Sequence, residues 1–437
     1  METHVPFWKK MGSNFNTNHN RRWDMEKKKM FIRFGKIFLI SALVSLPFWT
    51  FHSVMSAEKK GPIIIGVNLE LTGVMSATST SVKRGYDLYL QETGYTVAGR
   101  KIEMIEYDNK TDVKISMEVA KKLVEKDNVH ILCFGTNSAA AIAVAGYAPT
   151  VKVPMVVIGL GGAERVTLPP NKYVHRTTYA DGQMEIVFGG YAYDKLGVRK
   201  MVLMGPDYAG STGKLWAFRQ GFVPRGGEVI QTILWPLGSM DMAPYLAKIK
   251  PEADSIFYFE PGDVSILRFL SSYFEMGFKQ KGLKLTSHWI ISDEELVLPV
   301  YGEKMEGLVC GAFFTPSYDT PENKRLLDLY YAKYGTKVVI NDHVPMGYDS
   351  MKFICTALES IGGNIEDTEA FINAMRKVKI KGTSGWMSLD ENGNIIRDVL
   401  IRQIKKVGNK VQNVVMGVIP QVKQPPQGYT LMPDKAK

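Results

Sequence analysis

Glycines and short polar side chains that could bind a ligand lie between an apolar run and an alanine-rich segment. Gly135, Thr136, Asn137 and Ser138 follow the apolar run "HILCF" and precede "AAAIAVAG", a good helix former. The unpaired N–H groups and partial positive charge of a helix N-terminus favour an anion, and hydroxyl groups add donors. The turn therefore predicts a binding site for a carboxylate or another anion. Asn137 either contacts the ligand or caps the helix.

Two glycine-rich stretches and one Ser-Lys pair could instead indicate catalysis. "GLGGAE" (159–164) lacks the third glycine of a dinucleotide-binding turn, and "GPDYAGSTGK" (205–214) has Tyr208 where a phosphate-binding loop needs its first glycine. Ser211 and Lys214 form S-x-x-K without the S-D-N and K-T-G that accompany it in β-lactamases. No H-E-x-x-H, G-x-S-x-G or C-x-x-C occurs. We expect no enzyme, cofactor or metal; an exported hydrolase using Ser211 and Lys214 is the weaker alternative.

The elements around the polar turn alternate between strand and helix from residue 61 onward. "PIIIGVNLEL", "KIEMIEYD", "HILCF" and "PMVVIG" are apolar runs of strand length, and amphipathic segments separate them. Thr111 or Asp112 is placed to cap the helix after the second run. Mostly apolar strands with helices between them are typical of a parallel sheet covered on both faces.

A second series of the same kind begins near residue 200 and predicts a second lobe. Its strands are "KMVLMG", "EVIQTILWP" and "SIFYFE", and a polar stretch over 174–182 links the two series. Ligands of open α/β sheets bind beyond the carboxyl ends of the strands. The loops there share small or polar residues: Thr72-Gly73 with Thr78-Ser79, 135–138, Gly159-Leu160-Gly161, Asp207-Tyr208 and Glu260-Pro261-Gly262.

The positive charge of the chain is concentrated in its leader. The 437 residues carry a formal net charge of +10, but residues 1–57 hold nine Lys and Arg against three acids. The basic residues precede the apolar "IFLISALVSLPFWTF" (37–51), which is shorter than the ~20 residues that span a membrane. We predict a signal peptide cleaved near Ala57, with an uncleaved anchor as the alternative, and a periplasmic protein. We expect no nucleic-acid partner.

Cysteines and chain ends complete the predicted organisation. Cys133, Cys310 and Cys355 are odd in number and widely spaced, which favours buried thiols over disulfides or a metal site. Met25 begins a better signal peptide than Met1 does. The remaining bounds are 1–24 as a non-native extension, 25–57 as the signal peptide, 58–178 with 309–383 as lobe 1, 179–308 with 384–420 as lobe 2, and 421–437 as a flexible tail.

The order and spacing of several motifs resemble one known family. The L-T-G turn at 71–73, "RG" at 84–85, "GRKIE", "YDNKTD" and the late "GTSGWMSLDENGN" (382–394) are similar to substrate-binding proteins of branched-chain amino acid ABC transporters. The resemblance covers about residues 61–418. It implies the type I periplasmic binding fold, with two Rossmann-like lobes joined by three crossovers near 175–182, 307–313 and 382–394. A monomer would close on its ligand and present it to a membrane permease.

The resemblance also implies ligand-binding positions. The first lobe would hold the ligand's carboxylate and ammonium through Gly135, Thr136, Asn137 and Ser138 and through Gly159, Leu160 and Gly161. In the second lobe, Tyr208 matches an aromatic contact and Asp293 an acidic partner of the ammonium, and Thr78 falls where some members place an aromatic lid. Two positions depart from the family pattern: Gly161 replaces a threonine, and Glu260 stands where small residues are common.

These departures leave the ligand open. Either Asp293 or Glu260 could pair with an ammonium, or neither could. Tyr208, Phe259 and Trp289 would suit an apolar or aromatic ligand body. We therefore expect an extracytoplasmic solute-binding protein for a small carboxylate, in the first place a hydrophobic or branched-chain amino acid. An aromatic or other organic acid, and a ligand-sensing receptor of the same fold, are the alternatives.

Overall fold

The first sheet forms from the apolar runs of the N-terminal series. The protein is represented by a computed structural model that describes residues 60–261 and 264–424, without the side chains of Ala209 and Val264. Six strands line up in the order β2-β3-β1-β4-β5-β6, parallel except for the β2–β3 pair. They are β1 (Ile63–Leu69), β2 (Thr96–Val97), β3 (Arg100–Asp108), β4 (Ile131–Phe134), β5 (Met155–Val157) and β6 (Val174–Arg176).

Three helices connect these strands and cover the first sheet. Asp112 caps the second, because its side chain accepts a hydrogen bond from the N–H of Ile115. All four residues of β4 are buried, as expected of a strand covered on both faces. The helices are α1 (Ser76–Glu92), α2 (Val113–Glu125) and α3 (Ser138–Val151).

The second sheet repeats the alternation and ends in antiparallel strands. Its order is β12-β13-β14-β11-β10-β9-β7-β8, with β15 paired to β14. The strands β7 to β11 run parallel, and β14 is antiparallel to β11. They are β7 (Lys200–Pro206), β8 (Glu228–Trp235), β9 (Ser255–Tyr258), β10 (Lys284–His288), β11 (Val309–Ala312), β12 (Lys379–Gly382), β13 (Gly385–Leu389), β14 (Ile395–Val407) and β15 (Lys410–Val422).

The remaining helices divide between the two sheets. Five precede β11: α4 (Gln183–Asp194), α5 (Ala209–Phe222), α6 (Ala243–Leu246), α7 (Val264–Glu275) and α8 (Leu298–Tyr301). Three follow it: α9 (Pro321–Tyr334), α10 (Val344–Ser360) and α11 (Thr368–Lys377). The later three pack with α1, directly or through α10. We call the first sheet with α1–α3, α9–α11 and the β12–β13 hairpin, which contacts α9 and α11, the first lobe. The second lobe consists of β7–β11, β14 and β15 with α4–α8.

The chain passes between the lobes after β6, after β11 and where β13 leads into β14. Hydrogen bonds tie these three crossovers together. The N–H of Arg176 donates to the carbonyl of Gly393 at 2.8 Å. The buried guanidinium of Arg397 donates to the carbonyls of Thr178 at 3.1 Å and Phe313 at 3.3 Å. The hinge region is therefore one hydrogen-bonded unit.

This architecture confirms the predicted α/β class with two sheets of mostly parallel strands. Cys133, Cys310 and Cys355 are buried free thiols on β4, β11 and α10, as predicted. Residues 1–24 and the predicted signal peptide, 25–57, lie outside the described residues. So does 425–437, while β15 extends two residues into the segment predicted as a tail. Within the described part of the chain, no helix is long and apolar enough to cross a membrane.

Glycines allow two helix pairs to pack backbone against backbone. A methyl group on Gly347 of α10 would overlap the carbonyl oxygen of Val82, and one on Gly85 of α1 would overlap that of Val344. Gly189 of α4 and Gly221 of α5 stand in the same relation in the second lobe. Each lobe thus depends on a contact that only glycine permits.

We predict that Gly347→Ala lowers the free energy of unfolding by about 2 to 3 kcal/mol, because α1 and α10 must separate to admit the methyl group. Urea unfolding followed by circular dichroism measures this change. Gly146→Ala on the exposed face of α3 is the matched control, since no atom lies within 4 Å of its added methyl. Equal effects of the two substitutions would contradict the packing account.

Candidate functional site

The turn at 135–138 lies between β4 and α3, and Asn137 caps the helix. Its side-chain oxygen accepts from the N–H groups of Ala139 at 2.9 Å and Ala140 at 3.2 Å. Its amide nitrogen donates to the carbonyl of Thr111 at 3.2 Å. Both polar ends of Asn137 are therefore used within the fold, which corresponds to the capping role.

A carboxylate of the protein itself occupies the anion position at this turn. The buried side chain of Glu70 accepts from the N–H groups of Thr136 at 2.9 Å and Asn137 at 3.0 Å. It also accepts from the hydroxyl of Ser79 at 2.7 Å and from the amide of Asn109 at 3.3 Å. The two N–H groups that the sequence offered to a ligand are thus already bonded.

The hydroxyl groups at the turn differ in what they can still offer a ligand. Ser79 gives its one hydrogen to Glu70, so Thr136, 2.8 Å away, must donate to Ser79. Thr136 can then only accept from a ligand. The hydroxyl oxygen of Ser138 accepts from the N–H of Ala163 at 3.3 Å, and no described residue takes its hydrogen. Ser138 is therefore the hydroxyl donor of this turn.

The structure brings the second predicted loop against the first. The N–H of Gly161 donates to the carbonyl of Gly135 at 3.3 Å, and a side chain on Gly159 would overlap the backbone of Gly135. Leu160 is half-buried and packs against the core. The glycines thus let two strand ends meet, and the loop presents backbone rather than hydroxyl groups.

In the second lobe, Tyr208 and Glu260 follow β7 and β9. Tyr208 precedes α5 and is half-buried. Glu260 is buried and accepts from the indole N–H of Trp235 at 3.2 Å. Burial raises the pKa of Tyr208, and the nearby charges of Asp181 and Glu260 raise it further. Tyr208 is therefore a neutral hydrogen-bonding group near the carboxyl ends of these strands.

Thr78 and Asp293 line one cavity of about 410 Å³ between the lobes. The carboxylate of Asp293 accepts from the N–H groups of Glu295 at 2.9 Å and Leu296 at 2.7 Å. Burial, and then the charge of Asp342, raise the pKa of Asp293 to about 7. At the cavity's edge, Asn341 donates to Ser81 and to Glu295 and so links the two lobes.

Five rings, which we call the aromatic cluster, meet where the crossovers reach the second sheet: Tyr179, Phe259, His288, Trp289 and Phe313. The ring centroids of Tyr179 and Trp289 are 4.7 Å apart, and those of Phe259 and His288 are 4.9 Å apart. The ammonium of Lys214 lies 4.6 Å from the centroid of Phe259. Lys214 is buried and pairs with Asp181 of the first crossover.

Several buried polar atoms around the aromatic cluster have no hydrogen-bond partner among the described residues. Most native proteins pair more than about 90% of such groups, so a local concentration of unpaired ones marks a place where a ligand or water is expected. The atoms are one carboxylate oxygen each of Asp181 and Glu185, the hydroxyl of Ser211, both ring nitrogens of His288 and the indole nitrogen of Trp289. Of these, Oε1 of Glu185 and Nε2 of His288 lie 3.6 Å from each other.

Burial sets the protonation of this group. Burial raises the pKa of Glu185 to about 7, while Lys214 opposes the shift. Burial, and then Lys214, lower the pKa of His288 well below its usual range. A neutral imidazole and a carboxyl group that ionises only near neutral pH can form hydrogen bonds without the cost of an isolated buried charge.

Sequence reasoning missed Glu70, Asp181, Glu185 and His288 as members of this region. Glu70, the Asp181–Glu185 stretch and His288 lie far apart in the chain, and no short motif joins them. A charged residue at the end of an apolar strand, as in "VNLEL", was the available signal for Glu70. Lys214 was noticed only as half of an S-x-x-K pattern.

Two α/β lobes, three crossovers and a cavity between the lobes are the architecture of a two-lobed solute-binding protein. The sequence profile of the periplasmic binding protein family matches residues 62–409. The chain therefore belongs to that family.

Individual relatives agree with this assignment. The Leu/Ile/Val-binding protein homolog 6 of Brucella suis biovar 1 (strain 1330) is 28% identical over 82% of this chain and 91% of its own. An ABC transporter substrate-binding protein from Sphaerobacter thermophilus has 30% identity and a TM-score of 0.78, covering 83% of this chain and 98% of that one. A solute-binding protein from Rhodopseudomonas palustris BisB5, in complex with 3,4-dihydroxybenzoic acid, has 28% identity and a TM-score of 0.77. The match covers 84% of this chain and 100% of that one.

These comparisons confirm the predicted family, the fold and the absence of an enzymatic role. The chain is a periplasmic solute-binding protein of the ABC transporter type, and it serves transport rather than catalysis. The family implies an extracytoplasmic location, a small-molecule ligand and a permease partner.

We predict that Glu70→Ala lowers the free energy of unfolding by about 3 kcal/mol, because it leaves buried N–H and hydroxyl donors at the turn without an acceptor. Urea unfolding measures the effect. Glu103→Ala on the exposed edge of β3 is the control and should change stability by less than about 0.5 kcal/mol. An equally small change for Glu70→Ala would contradict its role.

We predict that Glu185→Gln stabilises the protein by about 2 kcal/mol at pH 8 and has little effect at pH 5. The folded pKa of about 7 lies above the ordinary 4.5, so the wild type loses stability as pH rises between these values. The glutamine cannot ionise and avoids that loss. Urea unfolding at both pH values tests this, with exposed Glu228→Gln as control. A Glu185→Gln effect independent of pH would refute it.

Proposed function

We propose that the protein captures an aromatic carboxylate between its lobes and delivers it to an ABC permease. The observation that carries this proposal is the set of unpaired buried polar atoms around the aromatic cluster. Rings supply the apolar walls of a ligand site, and a few convergent polar groups fix orientation, which is the usual composition of a small-molecule pocket.

The geometry of the rings suits an aromatic ligand body. Tyr179 and Phe313 are stacked at 4.9 Å, while Trp289 stands edge-on to Tyr179 at 4.7 Å. Offset stacking and edge-to-face contacts at such distances add about 0.5 to 1.5 kcal/mol per pair beyond area burial. A planar ring placed against Phe259 or Trp289 would gain the same contacts.

The polar groups suit a ligand that carries hydroxyl groups as well as a carboxylate. Ser138 retains a hydroxyl hydrogen that could bond to a carboxylate oxygen. The unpaired oxygen of Glu185 can accept a hydrogen bond, as would be needed by a phenolic hydroxyl group. The R. palustris neighbour holds 3,4-dihydroxybenzoic acid, which has this combination of groups.

A branched-chain amino acid is the second candidate, and Asp293 is the observation that favours it. An ammonium group in the 410 Å³ cavity would have the carboxylate of Asp293 as its partner, and Leu71, Ile290 and Leu296 would contact an aliphatic side chain. The name of the Brucella relative, a Leu/Ile/Val-binding protein homolog, points the same way. Glu260 is a poorer partner, because Trp235 already donates to it.

The remaining assignments extend the family role. We propose that residues 25–57 direct export, that cleavage occurs near Ala57, and that the mature protein acts as a monomer. Mass spectrometry of the exported protein tests the cleavage: a mature chain beginning near Glu58 is expected, and a retained 37–51 segment would favour the tethered receptor instead.

Isothermal titration calorimetry tests the ligand class. We expect 3,4-dihydroxybenzoate to bind with a dissociation constant in the micromolar range or below, and leucine to bind at least about 100-fold more weakly. Asp293→Asn should leave the aromatic acid within threefold of wild type. If leucine is the ligand, this substitution should instead cost about 2 to 5 kcal/mol, since it leaves the ammonium unpaired. Binding of no carboxylate at all would refute the proposal.

A further inference from the structure

Lys214 is the one described lysine side chain whose ammonium lies against the rings of the aromatic cluster. Only 3% of the residue is exposed. Its ammonium lies 4.6 Å from the ring centroid of Phe259 and 5.6 Å from that of Tyr179. Taking a lysine out of water is costly, so a charge held at this position needs a compensating interaction.

Two of the three N–H groups of the Lys214 ammonium donate to oxygens of the protein, and one remains. An ammonium has three N–H groups. One goes to Asp181 and a second to the carbonyl of Gly210 at 3.1 Å. Among the described residues no oxygen takes the third, and the ammonium lies beside the rings of Phe259 and Tyr179. Close by in sequence, the buried hydroxyl of Ser211 is also unpaired, as is the second carboxylate oxygen of Asp181.

Lys214 is also close to the predicted carboxylate-binding turn. Ala163 donates to the hydroxyl of Ser138, and the preceding residue, Gly162, packs directly against the carboxylate of Asp181. Ser138 and the carboxylate of Asp181 thus both contact the short backbone segment 162–163. Helices α3 and α5, which carry Ser138 and Lys214, are in contact across the lobes.

We propose that Lys214 binds the carboxylate of the ligand and that Asp181 is the residue that positions it. This inference rests on the proposed function. The third N–H of Lys214 supplies a charge-assisted hydrogen bond to one carboxylate oxygen, and Ser138 supplies a neutral one to the other. The S-x-x-K pattern of Ser211 and Lys214 thereby belongs to ligand recognition rather than to nucleophilic catalysis.

Asp181 connects this interaction to the hinge. It lies in the first crossover, two residues before α4, whereas Lys214 lies on α5 of the second lobe. A ligand carboxylate that shares Lys214 with Asp181 therefore touches both the second lobe and the crossover. The negative charge of the ligand, and not its shape alone, then favours the arrangement in which the second lobe and the first crossover both contact the ligand.

A pair of ligands that differ only in charge tests the proposal. We expect wild type to bind 3,4-dihydroxybenzoate at least 30-fold more tightly than its neutral primary amide by calorimetry. Lys214→Met should weaken binding of the acid by at least 30-fold and leave binding of the amide within threefold. Lys214→Arg, which keeps the charge, should retain the acid within tenfold. Exposed Lys126→Met controls for the loss of net charge.

The double variant Asp181→Asn/Lys214→Met guards against misfolding, because it removes both charges of the buried pair together. Like Lys214→Met, the double variant should lose the preference for 3,4-dihydroxybenzoate over its neutral amide. If the single or the double variant binds the acid within threefold of wild type, the role of Lys214 is refuted while the aromatic ligand stands. If wild type binds neither the acid nor the amide, the proposed function itself fails and this inference with it.

Discussion

The buried ion pair between Arg402 and Asp342 is the interaction on which the arrangement of the lobes depends. The guanidinium bonds to both carboxylate oxygens, at 2.7 and 3.1 Å, and to the carbonyls of Phe314 at 2.6 Å and Trp289 at 2.9 Å. Burial raises the pKa of Asp342 to about 6 even though Arg402 opposes that shift. Removing either partner would leave an uncompensated charge, at a cost of about 3 to 5 kcal/mol.

This pair positions the candidate site as well as the hinge. The guanidinium of Arg402 donates to the carbonyl of Trp289, and that of Arg397 donates to the carbonyl of Phe313, so the two arginines hold the backbone of two residues of the aromatic cluster. The rings are thus attached to a buried base that two arginine side chains hold by hydrogen bonds. The unpaired polar atoms lie next to that base, where they reduce stability in the absence of a ligand and are available to one.

The sequence predicted the elements whose local pattern agrees with their environment. Apolar strands such as β1 and β4, and the cap at Asp112, were readable because burial and hydrogen bonding there follow from neighbouring residues. β10 was not, since its Thr286 and Ser287 are buried and bond to carbonyls of β9. The roles of Glu70 and Lys214 were not predicted either, because each side chain has partners that are distant in the chain. A family resemblance supplied positions for Tyr208 and Asp293, but long-range pairs such as Asp181 and Lys214 required coordinates.

A crystal structure of the protein with 3,4-dihydroxybenzoate bound would test the central claim most directly. We expect the ligand ring within about 4.5 Å of Phe259 and Trp289, with its carboxylate toward Ser138 and Lys214. A ligand found only in the cavity beside Asp293, or only in the 560 Å³ groove that Lys279 and Lys304 line on the second lobe, would contradict it.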